Sequence, residues 1–199
     1  MPKTTIQARF DSLVSAILWP EFKARGYRKT GNNFRLYSPT GWGKIVNIQK
    51  SVWSLRDDIR FTINTGLYLP EADTIFETPK GEKFSEPDCL VRKRIGYLNE
   101  LQADLWYDLD ESVPLGKLES TVKQDISQFI IPYLEIIQSR DDILKQIIRE
   151  HRPNDEQAIR TLFICGYQEE ARQWIEEEIS TTIYRTWRER LVKLRNSFM

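Results

Sequence analysis

Near the start of the chain, Ile6, Phe10, Leu13, Val14, Ile17 and Leu18 recur at steps of three and four residues, the spacing that gathers side chains on one face of a helix. This predicts a helix over residues 5–25, capped by the hydroxyl of Thr4 or Thr5, kinked or restarted at Pro20, and stopped by Gly26. The period then shortens to two. Residues 33–38, 44–53 and 59–69 read as three strands. In the second, Val46 and Ile48 fall on one side and Asn47, Gln49 and Ser51 on the other. In the third, Phe61, Ile63 and Leu67 alternate with Thr62, Asn64 and Tyr68. The turns between them, at residues 39–43 and at Asp57-Asp58, are short, so the strands form an antiparallel meander. Residues 90–98 and 104–110 read as a fourth and a short fifth strand. Residues 70–88, with Pro70, Pro79 and Pro87, predict a long excursion that packs little and moves more than the sheet.

From Leu118 the pattern is helical to the end. Leu118, Val122, Ile126, Phe129 and Ile130 form a stripe that Pro132 interrupts, and Ser139 can cap the next helix, which carries Ile143, Leu144, Ile147 and Ile148. Residues 152–155 break it. Ala158, Leu162 and Cys165 lead to a stop at Gly166. Ile175, Ile179, Ile183, Trp187, Leu191, Leu194 and Phe198 then mark one last long helix. The expected fold is α+β: an N-terminal helix on an antiparallel sheet of about five strands, followed by a helical region. Residues 1–135 form the α+β domain and 136–199 a helical extension.

The chain has 199 residues, 40% of them hydrophobic, enough to bury a core without disulfide or metal staples. Its 29 basic and 29 acidic side chains cancel, which disfavours nucleic-acid binding by bulk charge. Cys89 and Cys165 do not make a disulfide framework and read as reduced thiols. No run approaches the ~20 apolar residues of a membrane span, and the N-terminus lacks the apolar core of a signal peptide. A cytoplasmic protein without membrane contact is expected. No P-loop, dinucleotide fingerprint, nucleophile elbow or zinc pattern occurs, so neither cofactor nor metal nor catalytic residue is assigned.

Several groups are candidates for chemistry. Asp104 and Asp108 share a strand face with Trp106 between them, an arrangement that could hold a cation or do acid–base work, or simply be a solvated edge. Arg92 and Arg94 share another face, either paired with Asp104 across strands or clamping an anion. Cys89, close to Arg92, Lys93 and Arg94, is a nucleophile if that charge lowers its pKa and an inert core thiol otherwise. His151, the only histidine, suits a helix C-terminus better than a metal. Asn47, Gln49, Ser51, Thr62, Asn64 and Tyr68 make a sheet face rich in amides and poor in charge, suited to a partner or a polar ligand. The last helix runs from acidic (Glu169, Glu170, Glu176, Glu177, Glu178) to basic (Arg185, Arg188, Arg190, Lys193, Arg195), which complements the dipole of a single helix. Its apolar stripe needs a cover, and a homodimer through this helix is the favoured one.

Three stretches carry a likeness to a known family. They are Phe22-Lys23-Ala24-Arg25-Gly26-Tyr27-Arg28-Lys29 followed by Asn33-Phe34-Arg35; Val46-Asn47-Ile48-Gln49-Lys50-Ser51; and Cys89 with Arg92-Lys93-Arg94-Ile95-Gly96, followed by Asp104-Leu105-Trp106-Tyr107. In order and spacing they resemble the bacterial domain of unknown function 4304, over roughly residues 6–135. In that family a histidine often follows the cysteine, where this chain has Leu90. The resemblance brings no activity with it, but the gene neighbourhood of some members implies immunity-type proteins. The function expected is a non-enzymatic protein-binding module, with Asn47, Gln49, Asn64, Tyr68, Arg92, Arg94, Asp104 and Trp106 as its contact residues. The alternatives are a metal-dependent hydrolase or nuclease using the carboxylates near Asp104, and a nucleic-acid binder through the basic C-terminus.

Overall fold

A computed structural model describes residues 4–55, 57–75 and 78–198. Helix α1 spans residues 5–23, as α-helix Thr5–Ser12, a π-helical segment Leu13–Leu18 and α-helix Trp19–Lys23. Thr4 Oγ1 accepts the Gln7 backbone N–H at 3.2 Å, which makes Thr4 the cap. Pro20 stands in the first turn of the α-helical segment that resumes at Trp19, and the helical path is unbroken. A proline has no N–H to donate and crowds the carbonyl four residues back. The wider π turn just before it takes up that misfit within a continuous helix. Gly26 ends α1 at φ +82°, and Tyr27 N–H closes back on the Phe22 carbonyl at 3.1 Å.

The sheet runs β1 (Arg28–Thr30), β2 (Asn33–Tyr37), β3 (Gly43–Lys50), β4 (Ile59–Tyr68) and β5 (Val91–Arg94), antiparallel and in sequence order. A sixth strand, β6 (Tyr107–Leu109), pairs with the first residues of β4, while β5 pairs with its later ones. Strand β1 was not predicted, because three residues are too few to show a period. Residues 95–98, expected to continue the fourth strand, leave the sheet through a 3-10 turn at Ile95–Tyr97. Residues 104–106, expected in the fifth, are not strand. Phe34, Val46, Ile48, Phe61, Ile63 and Leu67 face α1, and Phe10 meets Phe61 edge-on at 5.4 Å.

The excursion after β4 is a correction to the sequence reading. Its described residues begin with a short helix α2 (Pro70–Asp73) and fold back over the outer face of the sheet. Phe84 stacks on Tyr68 at 4.5 Å, and with Ile45 and Cys89 these rings make a second, smaller core. Buried Phe84 packs a segment whose prolines and charges suggested little packing. Gly43 and Gly66 are what let it approach, since a Cβ there would stand 2.6 Å from Phe84 and Cys89 respectively.

Helix α3 covers residues 115–135 and repeats the device of α1, with a π segment Ile126–Ile130 immediately before Ile131-Pro132. Helix α4 (Arg140–Glu150) is capped by Ser139, as expected, in a reciprocal box with Asp142. His151 closes it in the left-handed region at φ 40°. Then come α5 (Glu156–Ile164), α6 (Gln168–Thr181) and α7 (Arg185–Ser197). The single last helix that was expected is therefore two, packed as a hairpin. The β-branched run Thr181-Thr182-Ile183 breaks it, with Thr182 extended at ψ 132°. The acidic-to-basic order is not a dipole effect along one helix. It sets acidic α6 against basic α7, with Arg195 on Glu176 at 3.2 Å. Ile175, Leu191 and Leu194 are buried within the chain and Ile179, Trp187 and Phe198 pack against the same core, so most of the stripe has its cover, while Ile183 stays 85% exposed. One continuous core runs from Ile6 to Leu194. The helical region is tied to the rest through Gln157 on the Ala72 carbonyl and Arg140 on Glu71. Among the described residues no helix is long and apolar enough to cross a membrane.

Candidate functional site

The outer face of the sheet is covered by the excursion at one end and open at the other. Register places Asn33, Asn47, Asn64 and Arg94 directly beside one another on β2, β3, β4 and β5. Asn47 donates to Asn33 Oδ1 at 2.8 Å, Asn64 donates to Gln49 Oε1 at 2.7 Å, and Arg94 Nε donates to Asn64 Oδ1 at 3.1 Å. An amide both donates and accepts, so the row chains across four strands.

Beyond Arg94 the row meets the loop before β6. Arg94 pairs with Asp104 at 2.9 Å, and Arg60 pairs with Asp108 at 3.3 Å. Both guanidinium groups lie over the Trp106 ring, at 5.1 and 5.7 Å from its centre. Trp106 thus sits between two arginine–aspartate pairs, held by cation–π contact with both. Gly96 makes this possible, because a Cβ there would fall 1.9 Å from the Ala103 carbonyl oxygen and push the loop away. Thr62 braces the same loop through the Leu105 carbonyl at 2.7 Å.

The remaining predicted residues scatter. Asn47 and Gln49 are half-buried, and Asn64 is buried. Tyr68 lies on the predicted face but under Phe84, donating to Asp73 at 2.7 Å, and it is no part of any surface. Arg92 turns to Glu86 at 3.8 Å and lines an open cleft of about 360 Å3 together with Lys93, Arg94 and Arg152. Ser51 leaves the face for the turn that follows. Cys89 is buried in the small core. Burial pushes its thiol well up, Glu86 and Asp88 add to this, and Arg92 only partly opposes it. The basic neighbours do not activate it.

One feature the sequence reading missed lies beside Arg60. Val52, Trp53 and Leu55, at the tip between β3 and β4, are 89%, 86% and 70% exposed. The tip is ordered. Trp53 N–H donates to Ser51 Oγ at 3.1 Å, Leu55 N–H to the Asp58 carbonyl at 2.7 Å, and Ser54 Oγ bonds both the N–H and the carbonyl of Arg60. Arg60 therefore joins the tip, through its backbone, to the Trp106 face, through its side chain. The signal was present as an adjacent Val-Trp pair beside Asp57-Asp58, where alternation fails.

Chemically, this surface offers an apolar projection and a tryptophan framed by charge. The carboxylates of Asp104 and Asp108 are each neutralised by an arginine, and among the described residues no group of three or more His, Cys, Asp or Glu side chains could hold a metal ion. His151 lies tilted against Trp174 at 4.3 Å and caps α4.

Neither the curated proteins nor the solved structures contain a match to this chain. A scan of protein families matches the domain of unknown function DUF4304 over residues 18–136, from the last third of α1 to the end of α3. That span takes in the whole sheet, the amide row, Trp106 with its arginines and the apolar tip, and the chain belongs to the DUF4304 family.

Proposed function

We propose that this protein is a non-enzymatic protein-binding module whose contact surface is the β3–β4 tip together with the Trp106 face. The observation that carries this reading is the tip. Three large apolar side chains stand in water, two of them, Trp53 and Leu55, on backbone held by hydrogen bonds, and each would gain about 1.5–3 kcal/mol on full burial. Clustered apolar groups in water mark interaction sites, and tryptophan and arginine dominate the energetics of such interfaces. Trp53 at the tip, and Trp106, Arg60 and Arg94 on the face that Arg60 joins to it, supply both residue types.

The setting that fits is bacterial and cytoplasmic, an immunity-type or defence-associated protein that holds another protein. The hydrolase reading has less support, because its carboxylates are occupied by arginines, and the nucleic-acid reading has less because Arg195 and Arg190 on α7 are engaged by Glu176 and Glu156.

The test is cross-linking and mass spectrometry in cells producing the native chain, Trp53→Ser, Trp106→Ala, or Ile164→Ser, the last changing an exposed residue on α5. A partner captured by the native chain and Ile164→Ser but lost by the other two supports the reading. A partner retained by all four overturns it.

A further inference from the structure

On the opposite side of the sheet, a second site has the build of a small-molecule pocket. Lys44 stands on β3 and points into the layer between the sheet and α3. It is only 6% exposed. An ammonium group has three N–H donors. Among the described residues, Lys44 Nζ finds one acceptor at hydrogen-bond distance, the Leu134 carbonyl near the C-terminal end of α3, at 2.6 Å. Its other close contact is the Trp42 ring, 5.7 Å from the ring centre, and a buried cation with so few partners is expensive to keep charged. In keeping with this, burial draws the ammonium below the ordinary lysine range, against the pull of Glu135 and Asp142.

The same lysine lines a cavity of about 290 Å3. That is near the lower end of the ~300–1,000 Å3 typical of small-molecule sites. Its wall is otherwise apolar, formed by Phe22, Tyr27, Leu36, Ile131 and Leu134, and its rim carries Arg25, Glu135 and Gln138. Arg25 holds Glu135 at 3.0 Å, so the carboxylate at the mouth is already engaged. Arg25 is also paired with Glu21 at 3.6 Å, so the cation left to meet a ligand inside the cavity is Lys44.

We propose that this cavity binds a small monocarboxylate with an aromatic or branched apolar body, its carboxylate on Lys44 and its body against Phe22, Leu36 and Leu134. One negative charge matches the single buried ammonium. The carboxylate would satisfy the donors Lys44 does not spend on Leu134, and the apolar body suits the wall. The site lies on the face of the sheet away from the Trp106 surface, and it stands or falls independently of the protein-binding reading.

The experiment is an NMR titration of the 15N-labelled full chain with sodium phenylacetate, benzoate and isovalerate, each beside its uncharged amide. Saturable shifts at the backbone amides of Lys44, Leu36 and Leu134 are expected with at least one acid. The matching amide should bind roughly ten-fold more weakly or worse, as loss of a charge-assisted hydrogen bond implies. Lys44→Met should weaken the acid by a similar factor. Leu36→Trp, which fills the cavity and keeps the lysine, should abolish binding while the rest of the spectrum stays dispersed. If Lys44→Met fails to fold, the Leu36→Trp and acid-versus-amide comparisons still decide. No saturable shift with any of the three acids overturns the proposal, as does equal binding of acid and amide, or binding that survives Leu36→Trp.

Discussion

Trp187 donates its indole N–H to the carboxylate of Glu178 at 2.5 Å, joining α7 to α6 across the terminal hairpin. Glu178 is buried, and its other oxygen accepts Trp174 Nε1 and the Asn154 backbone N–H, each at 2.9 Å. One carboxylate thus serves two indoles and the loop before α5. Trp187→Phe keeps most of the ring and removes one donor to a charged group, so it should cost about 1.5–3 kcal/mol. Glu178→Leu strands all three donors and should cost more. Leu191→Asp places a charge in the core and should unfold the hairpin. Urea unfolding followed by tryptophan fluorescence reads all three. A soluble, fully folded Leu191→Asp protein would mean the stripe is not covered within the chain.

Gly96→Ala should move the loop that carries Asp104 and Trp106, since the new methyl collides with the Ala103 carbonyl and the Leu105 N–H. An overpacked site of this kind costs about 1–3 kcal/mol. The Trp106 environment should change with it, visible as a shift in emission that Trp106→Phe removes. Unaltered stability and emission would show that the loop does not depend on this glycine.

The two thiols should differ from the behaviour their neighbours suggest. Cys89 is buried and its thiol is pushed well up. Cys165 is half-buried and is also raised, chiefly by burial, with Arg140 opposing. In the Cys165→Ser variant no thiol should react with an aromatic disulfide reagent at mildly alkaline pH until denaturant is added. Rapid labelling of the folded variant would restore Cys89 as a reactive group.

Acid should loosen the start of α4. Asp142 accepts the backbone N–H groups of Gln138 and Ser139, each at 2.9 Å, and the first of these does most to hold its carboxyl below the usual range. A folded-state pKa that is depressed gives stability that is present above the unfolded value and lost as pH falls through the folded one. The urea midpoint should therefore fall below about pH 4. Asp142→Asn, which keeps an acceptor without the charge, should flatten that fall. An identical acid profile in both proteins would assign the loss to other carboxylates.

The meander, the capping of α1 and α4, and the stop at Gly26 were legible because each rests on local spacing or on one residue with a fixed role. The break between α6 and α7 was not, since Ile175, Ile179, Ile183 and Trp187 keep a step of four straight through it. The Thr181-Thr182-Ile183 run was the available sign. Of the contact residues, Arg94, Asp104 and Trp106 come together as ion pair and ring, although Asp104 reaches Arg94 from a loop. Tyr68 was misplaced because alternation gives the side of a strand and says nothing of what lies over it. The exposed tip escaped for a related reason, as residues 51–53 fit the end of a strand on paper, and only the register with Arg60 shows that the strand has stopped.

The splitting of β4 between two short neighbours limits how another molecule can attach. Recognition by adding a strand needs a long straight edge of unpaired backbone groups. On one side this sheet ends in β1, three residues long. On the other, β5 and β6 are four and three residues, set along β4 with a turn and a loop between them. Neither border offers a template on which an extended peptide, or a second copy, could zip up a run of main-chain bonds. On the protein-binding proposal, selectivity is then written in side chains, where single substitutions can retune it, and borders this short disfavour edge-to-edge pairing.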